Sequence, residues 1–408
     1  MRRLPLVLVP ALLMGVLMAA PASAAPPLVV DDDGADCPNA DFNSIQAAVT
    51  AGGPGTKILV CPGTYPETVT IDATKDGLEL KAKKRQEARI VPTMTSLPWR
   101  AIVYIAASDV KLDGFEINGM GSPMERFGVL IREGGSAEVT RNHITQILSA
   151  DDGTGIQVGT FSGGVSLGHA EIKMNLIDQY RRNGISVNEE TADDRSTGLI
   201  KHNVVIGRGP VGMGDVAQNG IQFAFGASGV AQHNDVSDNE FTGMATGAGI
   251  LLFAPAPGIE ISHNDLWRNE IQIDLAGGTD ADVHHNRMWD AADGGIRLQS
   301  TGGTFGFFVE TTGARVEHNL AVGSGQDGLR LTDESSDNLI GHNRADDNGR
   351  DGVRAETDTR DNVIKHNHMH GNGEHDAHDD SAGDGTAGTA NTWHKNRCET
   401  ENRPGLCE

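Results

Sequence analysis

Arg297, Arg330 and Arg354 each stand third in a Gly-apolar-Arg-apolar or -small segment: GIRL at 295, GLRL at 328 and GVRA at 352. If these segments are strands, alternate side chains point to one face, and the three guanidinium groups line up coil above coil. An arginine beside a carboxylate is what chemistry on a uronic acid chain requires. The cation neutralises the sugar carboxylate, and a basic group removes the α-proton. Arg297, Arg330 and Asp274 are therefore the candidate catalytic set. The same register places Gln272 in the arginine row and Asp274 and Gln299 in the next outward row. Gln272, Gln299 and Arg354 thus extend the stripe as candidate substrate-binding groups. The competing explanation is a solvated charged face. Two like charges 5 Å apart in water repel by only about 0.8 kcal/mol, and Glu356 lies beside them.

Trp267 and Trp289 each follow a repeated Asn by three residues, so they should sit on adjacent coils. Two indoles there could offer a stacking platform for a sugar, or could shield a turn. His202, His233, His263, His285, His318, His342 and His366 each precede a repeated Asn. One residue type in a fixed place on every coil reads as structure, because a catalytic or metal site needs a few special residues instead. Near the end, Glu374-His375-Asp376-Ala377-His378-Asp379-Asp380 is dense in oxygen and imidazole. His375, Asp376 and Asp379 are the candidate metal ligands, for Ca²⁺ or a transition metal, against the plainer reading of a solvated acidic turn.

These groups depend on a repeat for their placement. Gly328 and Gly352 lie 24 residues apart, as do Ile340 and Ile364, and Asn343 and Asn367. A Gly-apolar-x-apolar register runs from GVLI at 128 to GVRA at 352, with EIQI at 270 putting Glu270 in the glycine place. A second register, apolar-x-x-Asn-x-apolar, has its Asn at 142, 175, 203, 234, 264, 286, 319, 343 and 367. Interlocked periods of this length mark a stacked architecture, and short β-branched segments rich in Asn and Gly point to a parallel β-helix. The Asn suits a left-handed turn, and stacked Asn side chains could form a hydrogen-bonded ladder. Longer loops at Thr160 to Gly168, Asn188 to Ser196, Gly207 to Gln218 and Ser300 to Thr312 could wall a cleft.

The chain of 408 residues carries a formal charge of -23 and only 4% aromatic residues. Such acidity disfavours nucleic acid and anionic membrane as partners. Residues 1–24 read as a secretory signal: Arg2 and Arg3, an apolar run from Leu4, and an Ala22-Ser23-Ala24 cleavage site. No later stretch is apolar enough to span a bilayer. Four cysteines in an exported chain imply two disulfides, for which the sequence allows three pairings; proximity favours Cys37–Cys61 and Cys398–Cys407. NSIQAAVT at 43–50 reads as a short amphipathic helix with Asn43 as its cap. The organisation expected is a signal at 1–24, an N-terminal cap at 25–57, the β-helix at 58–372 and a capping tail at 373–408.

NSIQAAV at 43, followed by ILVCPGTY at 58 and VTI at 69, resembles the opening of proteins of the pectin-lyase-like superfamily. VKLDGFEI at 110 is similar to a coil of that group. The resemblance implies a secreted right-handed parallel β-helix that acts on or binds polysaccharide. No catalytic motif carries over with it: Asp193-Asp194 and Asp346-Asp347 are only doublets, and His375-Asp376 and His378-Asp379 lack the proline of the Asp-Pro-His element of alginate epimerases. The expected function is work on extracellular polysaccharide as a polyuronate lyase or epimerase, by a monomer. The alternatives are a non-catalytic carbohydrate-binding or adhesion module, or a periplasmic accessory protein of the kind that matures nitrous oxide reductase.

Overall fold

The computed structural model describes residues 26–93, 99–160, 166–188, 195–303 and 308–408; the signal segment and Asp193-Asp194 lie outside these. Short β-branched segments separated by tight polar turns cannot bury their apolar faces alone, so they stack. They form three parallel sheets of 14, 12 and 12 strands, and each coil visits the first, second and third sheet in turn. The result is a parallel β-helix. Its interior is filled by rows of like residues: Ile273, Ile296, Leu329, Val353 and Ala377 are register partners on successive coils, and all are buried.

The corners show why the two registers exist. Between the first and second sheets the repeated Asn side chains point inward and form the expected ladder. Asn343 Oδ1 accepts from the Asn319 backbone N–H at 2.9 Å, and its Nδ2 donates to Asn367 Oδ1 at 3.1 Å and to the Val316 carbonyl at 2.7 Å. A second ladder runs through Ser324, Asn348 and Asn372, and a third through Asn338, Asn362 and Asn391. Each satisfies backbone groups that a corner would otherwise leave buried and unpaired. The left-handed residue, however, is not the Asn. It is the residue before it: His202, His263, His318 and His366 have φ of 55 to 59°. The Asn is needed for its inward amide, and the exposed His bears the turn.

The glycine register answers a close approach. A Cβ on Gly155 would stand 2.6 Å from the Gly184 carbonyl oxygen of the next coil, and one on Gly220 would stand 2.6 Å from that of Gly249. Strand pairing also corrects the reading of EIQI. Ile271 pairs with Gly294 and Ile273 with Ile296, so Gln272, not Glu270, takes the glycine place and Asp274 enters the arginine row. Gln272 is accordingly fully buried.

A helix, Ile45–Ala51, covers the first coil with Ile45, Ala48 and Val49 inward. Its cap is Ser44, not Asn43: Ser44 Oγ accepts from the Ala47 N–H, and the Glu67 carboxylate accepts from the N–H groups of Ile45 and Gln46 at 2.7 Å. The sheets extend past residues 58–372, since Leu28–Val30 opens the first sheet and Thr392–His394 closes it. Both proximity pairings form, Cys37 with Cys61 and Cys398 with Cys407. Trp393 is buried in the terminal coil, where its Nε1 donates to Asp379 at 2.7 Å.

Candidate functional site

The outward row of the third sheet brings Asp274, Arg297, Arg330, Arg354 and His378 into register on five successive coils. The alignment of the three arginines is as the spacing implied, but none of them stands free. Arg297 grips Asp274 through two bonds, at 3.1 and 2.7 Å, and Gln299 Nε2 donates to the same carboxylate at 3.0 and 3.1 Å. Burial alone would lower the Arg297 pKa; the adjacent Asp274 charge outweighs it and holds the guanidinium above its ordinary value. Arg330 donates to Glu356, which also accepts from Thr332 Oγ1 at 2.7 Å. Burial pushes Glu356 up, but Thr332 and Arg330 bring it below the usual carboxylate range. Arg354 bridges Asp351 at 2.9 Å and Asp380 at 2.7 Å. The row is therefore a chain of neutralised pairs.

Trp267 and Trp289 are adjacent, but their rings lie nearly parallel, 8° apart with centroids 5.6 Å apart. They spend their facing surfaces on each other, so they do not form one flat platform. Gln272 lies beneath this corner, bonding Asn269 at 2.6 Å and the Trp289 carbonyl at 2.9 Å. The histidine row is a stack of exposed rings, with His318, His342 and His366 at centroid spacings of 5.0 and 4.9 Å. In the tail, Asp376 accepts from the backbone N–H groups of Glu399 and Thr400 and from Asn372 Nδ2. Asp379 holds Trp393, Asn391 and Ser381. Both are buried structural carboxylates, so of the three metal candidates only His375 keeps a role for which a ligand atom is available.

The third sheet carries a cleft that the sequence did not single out. It has a volume of about 640 Å³ and sits over the coils that end one short of the Asp274–Arg297 pair. Its floor holds the amides Gln157 and Gln222, flanked by Asn183, Asn188 and Asn219; Ser186, their register partner on the coil between, is fully buried. These groups bond one another: Gln222 Nε2 to Asn188 Oδ1 at 3.3 Å, Ser186 Oγ to Asn188 Oδ1 at 3.1 Å, and Asn219 Nδ2 to Gln222 Oε1 at 3.2 Å. Asn219 Oδ1 has no hydrogen-bond partner among the described residues. The walls are aromatic: Trp99, Phe127, Phe225, Phe241 and Phe253. Arg132 stacks on Trp99 with its guanidinium carbon 3.5 Å from the ring centroid. Asp151, Asp152 and Asp215 also line the cleft. Arg126 holds Asp152 at 3.1 Å, while Arg181 and Arg208 hold Asp215. Burial raises the Asp215 pKa, but Arg208 and the Val216 N–H bring it below the ordinary value, so it is ionised at neutral pH. Thr160, Asn188 and the 215–217 segment supply wall residues from three of the four long loops. The candidate residues Arg297, Arg330 and Arg354 lie further along the rod, outside this cleft.

Three parallel sheets wound into one solenoid, with side loops raising a cleft over one of them, make this a right-handed parallel β-helix. The chain belongs to the family described as right handed beta helix region, which matches residues 127–305 and 299–402. Its fold is similar to that of the Dettilon tailspike protein (TM-score 0.55, 16% identity, 79% of this chain and 62% of that one). It is also similar to the GH136 lacto-N-biosidase from Eubacterium ramulus (TM-score 0.56, 14% identity, 83% of this chain and 66% of that one). The Agl-KA catalytic domain is a third such structure (TM-score 0.53, 10% identity, 82% of this chain and 61% of that one). The chain spans less than two thirds of the length of each of these three. No curated protein sequence matches it. No helix among the described residues is long and apolar enough to cross a membrane.

Proposed function

We propose that this protein binds, and acts on, an extracellular glycan chain laid in the cleft of the third sheet. The observation that supports this is the pairing of an amide floor with aromatic walls in one concave site. Amides and hydroxyls match sugar hydroxyls as donors and acceptors, and aromatic rings cover the apolar faces of pyranose rings. The shared fold with a lacto-N-biosidase agrees with this reading; the cleft's chemistry carries it. The carboxylates Asp151, Asp152 and Asp215 line the same cleft, each paired with arginine, so acid–base work on a bound glycan would need one of them released from its arginine. The lyase or epimerase reading on Arg297, Arg330 and Asp274 also requires ion pairs to part, and those residues lie outside the cleft, so it is placed second. Ca²⁺ is not required by the cleft reading.

The test is a panel of neutral and uronic acid polysaccharides, scored for binding by calorimetry and for new reducing ends or unsaturated products. Gln222→Ala and Trp99→Ala are expected to weaken binding of the responding glycan at least tenfold, and Arg330→Ala to leave it unchanged. The reverse pattern would move the site back to the arginine row. Binding without any product would leave a carbohydrate-binding module, the non-catalytic alternative.

A further inference from the structure

We propose that Asp351, His375 and His378 form a site for a divalent transition metal that clamps the last strand of the third sheet. The strand His375–Asp379 is the outermost named strand of that sheet and pairs with Asp351–Ala355, His375 standing directly opposite Asp351, while its other edge bridges to the tail at Glu401. The two imidazoles converge on one carboxylate. His375 Nδ1 lies 3.5 Å from Asp351 Oδ1, and His378 Nδ1 lies 3.1 Å from Asp351 Oδ2. A tetrahedral ion with bonds of about 2.0 to 2.1 Å holds its ligand atoms roughly 3.4 Å apart. These separations bracket that value.

Orientation supports the same conclusion. The two rings meet edge to face, 87° apart with centroids 5.0 Å apart, so their lone pairs can aim at one point. In the exposed histidine row the rings of His342 and His366 are stacked at 6° and do not converge in this way. Among the described residues His375 Nδ1 is buried and has no hydrogen-bond partner. Asp351 is fully buried and is oriented by the His375 backbone N–H at 3.0 Å. On the far side of the ring, His378 Nε2 meets Asp380 at 3.0 Å, the carboxylate–histidine arrangement that fixes a metal-bound imidazole. Two nitrogens and one carboxylate suit Zn²⁺, Co²⁺ or Ni²⁺, and are too few oxygens for Ca²⁺.

Cations already surround the position. Arg354 Nη1 is 2.9 Å from Asp351 and 3.2 Å from His378 Nδ1, and Arg350 Nε is 3.7 Å from Asp351. Arg350 is otherwise engaged with Asp327. Arg354 keeps a bond to Asp380 at 2.7 Å and a longer contact of 3.8 Å to Glu356, so Nη1 can swing aside without freeing the whole side chain. Metal and guanidinium therefore compete for Asp351, and removal of the guanidinium must strengthen metal binding. An accidental surface site would not respond in that direction.

The experiment titrates Zn²⁺ and Co²⁺ into the full chain by calorimetry, with thermal unfolding and the visible spectrum of the Co²⁺ form as independent readouts. One tight ion per chain, a raised Tm and an intense tetrahedral Co²⁺ spectrum are expected. His375→Gln and His378→Gln should each weaken binding at least tenfold, and Arg354→Gln should tighten it. The double variant His342→Asn/His366→Asn, which thins the exposed stack, should leave the tight ion in place. His375 is half exposed, so its variant is expected to fold even if the others do not. The proposal is overturned if no ion binds, if His375→Gln binds as tightly as the parent, or if the stack variant alone abolishes binding.

Discussion

Removing the Arg297 guanidinium would strand the Asp274 carboxylate, which is 3% exposed, with Gln299 as its one remaining side-chain partner among the described residues. A buried charge left unpaired costs far more than a surface one, so Arg297→Ala should destabilise the protein by about 3 kcal/mol. The double variant Arg297→Ala/Asp274→Ala should recover much of that loss, because the pair then disappears together. Denaturant midpoints of the single and double variants measure the coupling. A single variant with unchanged stability would mean that Arg297 is free for substrate after all. Asn343 is the corresponding neutral case. Its amide serves Asn319, Asn367 and Val316 at once, and Asn343→Ala leaves those groups buried without partners. A loss of about 2 to 4 kcal/mol is expected, against almost nothing for the exposed neighbour His342→Asn, which can keep the left-handed turn.

A coil as an element was legible because each of its positions answers one local demand that recurs: an inward amide at a corner, a missing Cβ where carbonyls approach. Gly155, Asn343 and Ile364 could be placed from spacing alone for that reason. Register at 270 could not. Ile271, Ile273 and Leu275 alternate, so a shift of two residues leaves every side chain on its face, and hydrophobic pattern cannot detect it. The cleft was half legible. Gln157, Ser186 and Gln222 belong to the repeat and hold equivalent places on successive coils, whereas Trp99, Phe241 and Asp215 come from segments that do not repeat. The histidine stack makes a prediction at this scale. Burial and then the neighbouring rings His284, His318 and His263 hold His285 below the ordinary imidazole value, and His366 is lowered in the same direction. A folded pKa below the unfolded one means that the unfolded chain takes up protons first, so stability falls as pH drops through the ordinary histidine range. His143 and His378 act oppositely. Burial lowers His378, but Asp351 and Asp380 outweigh it and raise the net value. His143 is raised by Asp178. Their contributions are full at low pH and fade as pH rises through the folded values. Replacing His285 and His366 by Asn should therefore shrink the loss in Tm between about pH 7.5 and pH 5.5. An unchanged loss would assign the acid sensitivity elsewhere.

For the whole molecule the question is where a rod of coils begins to open. Each coil contacts chiefly its two neighbours, so the end coils lack one interface and fray first. The two disulfides sit at those ends. Cys37–Cys61 closes 24 residues and joins the capping segment to the first full coil, while Cys398–Cys407 closes only 9 within the tail. By loop entropy the longer closure contributes about 1 kcal/mol more, a difference that native strain can modify. The Cys37→Ser/Cys61→Ser variant should consequently lower the unfolding midpoint more than Cys398→Ser/Cys407→Ser does. Hydrogen exchange after reduction should show the reason. Amides of Leu28–Val30 and Lys57–Val60 should lose protection, and those of Ala248–Phe253, in the middle of the rod beneath the cleft, should keep it. Loss of protection spread evenly over all coils would mean that the rod unfolds as one unit and that the bridges stabilise it globally.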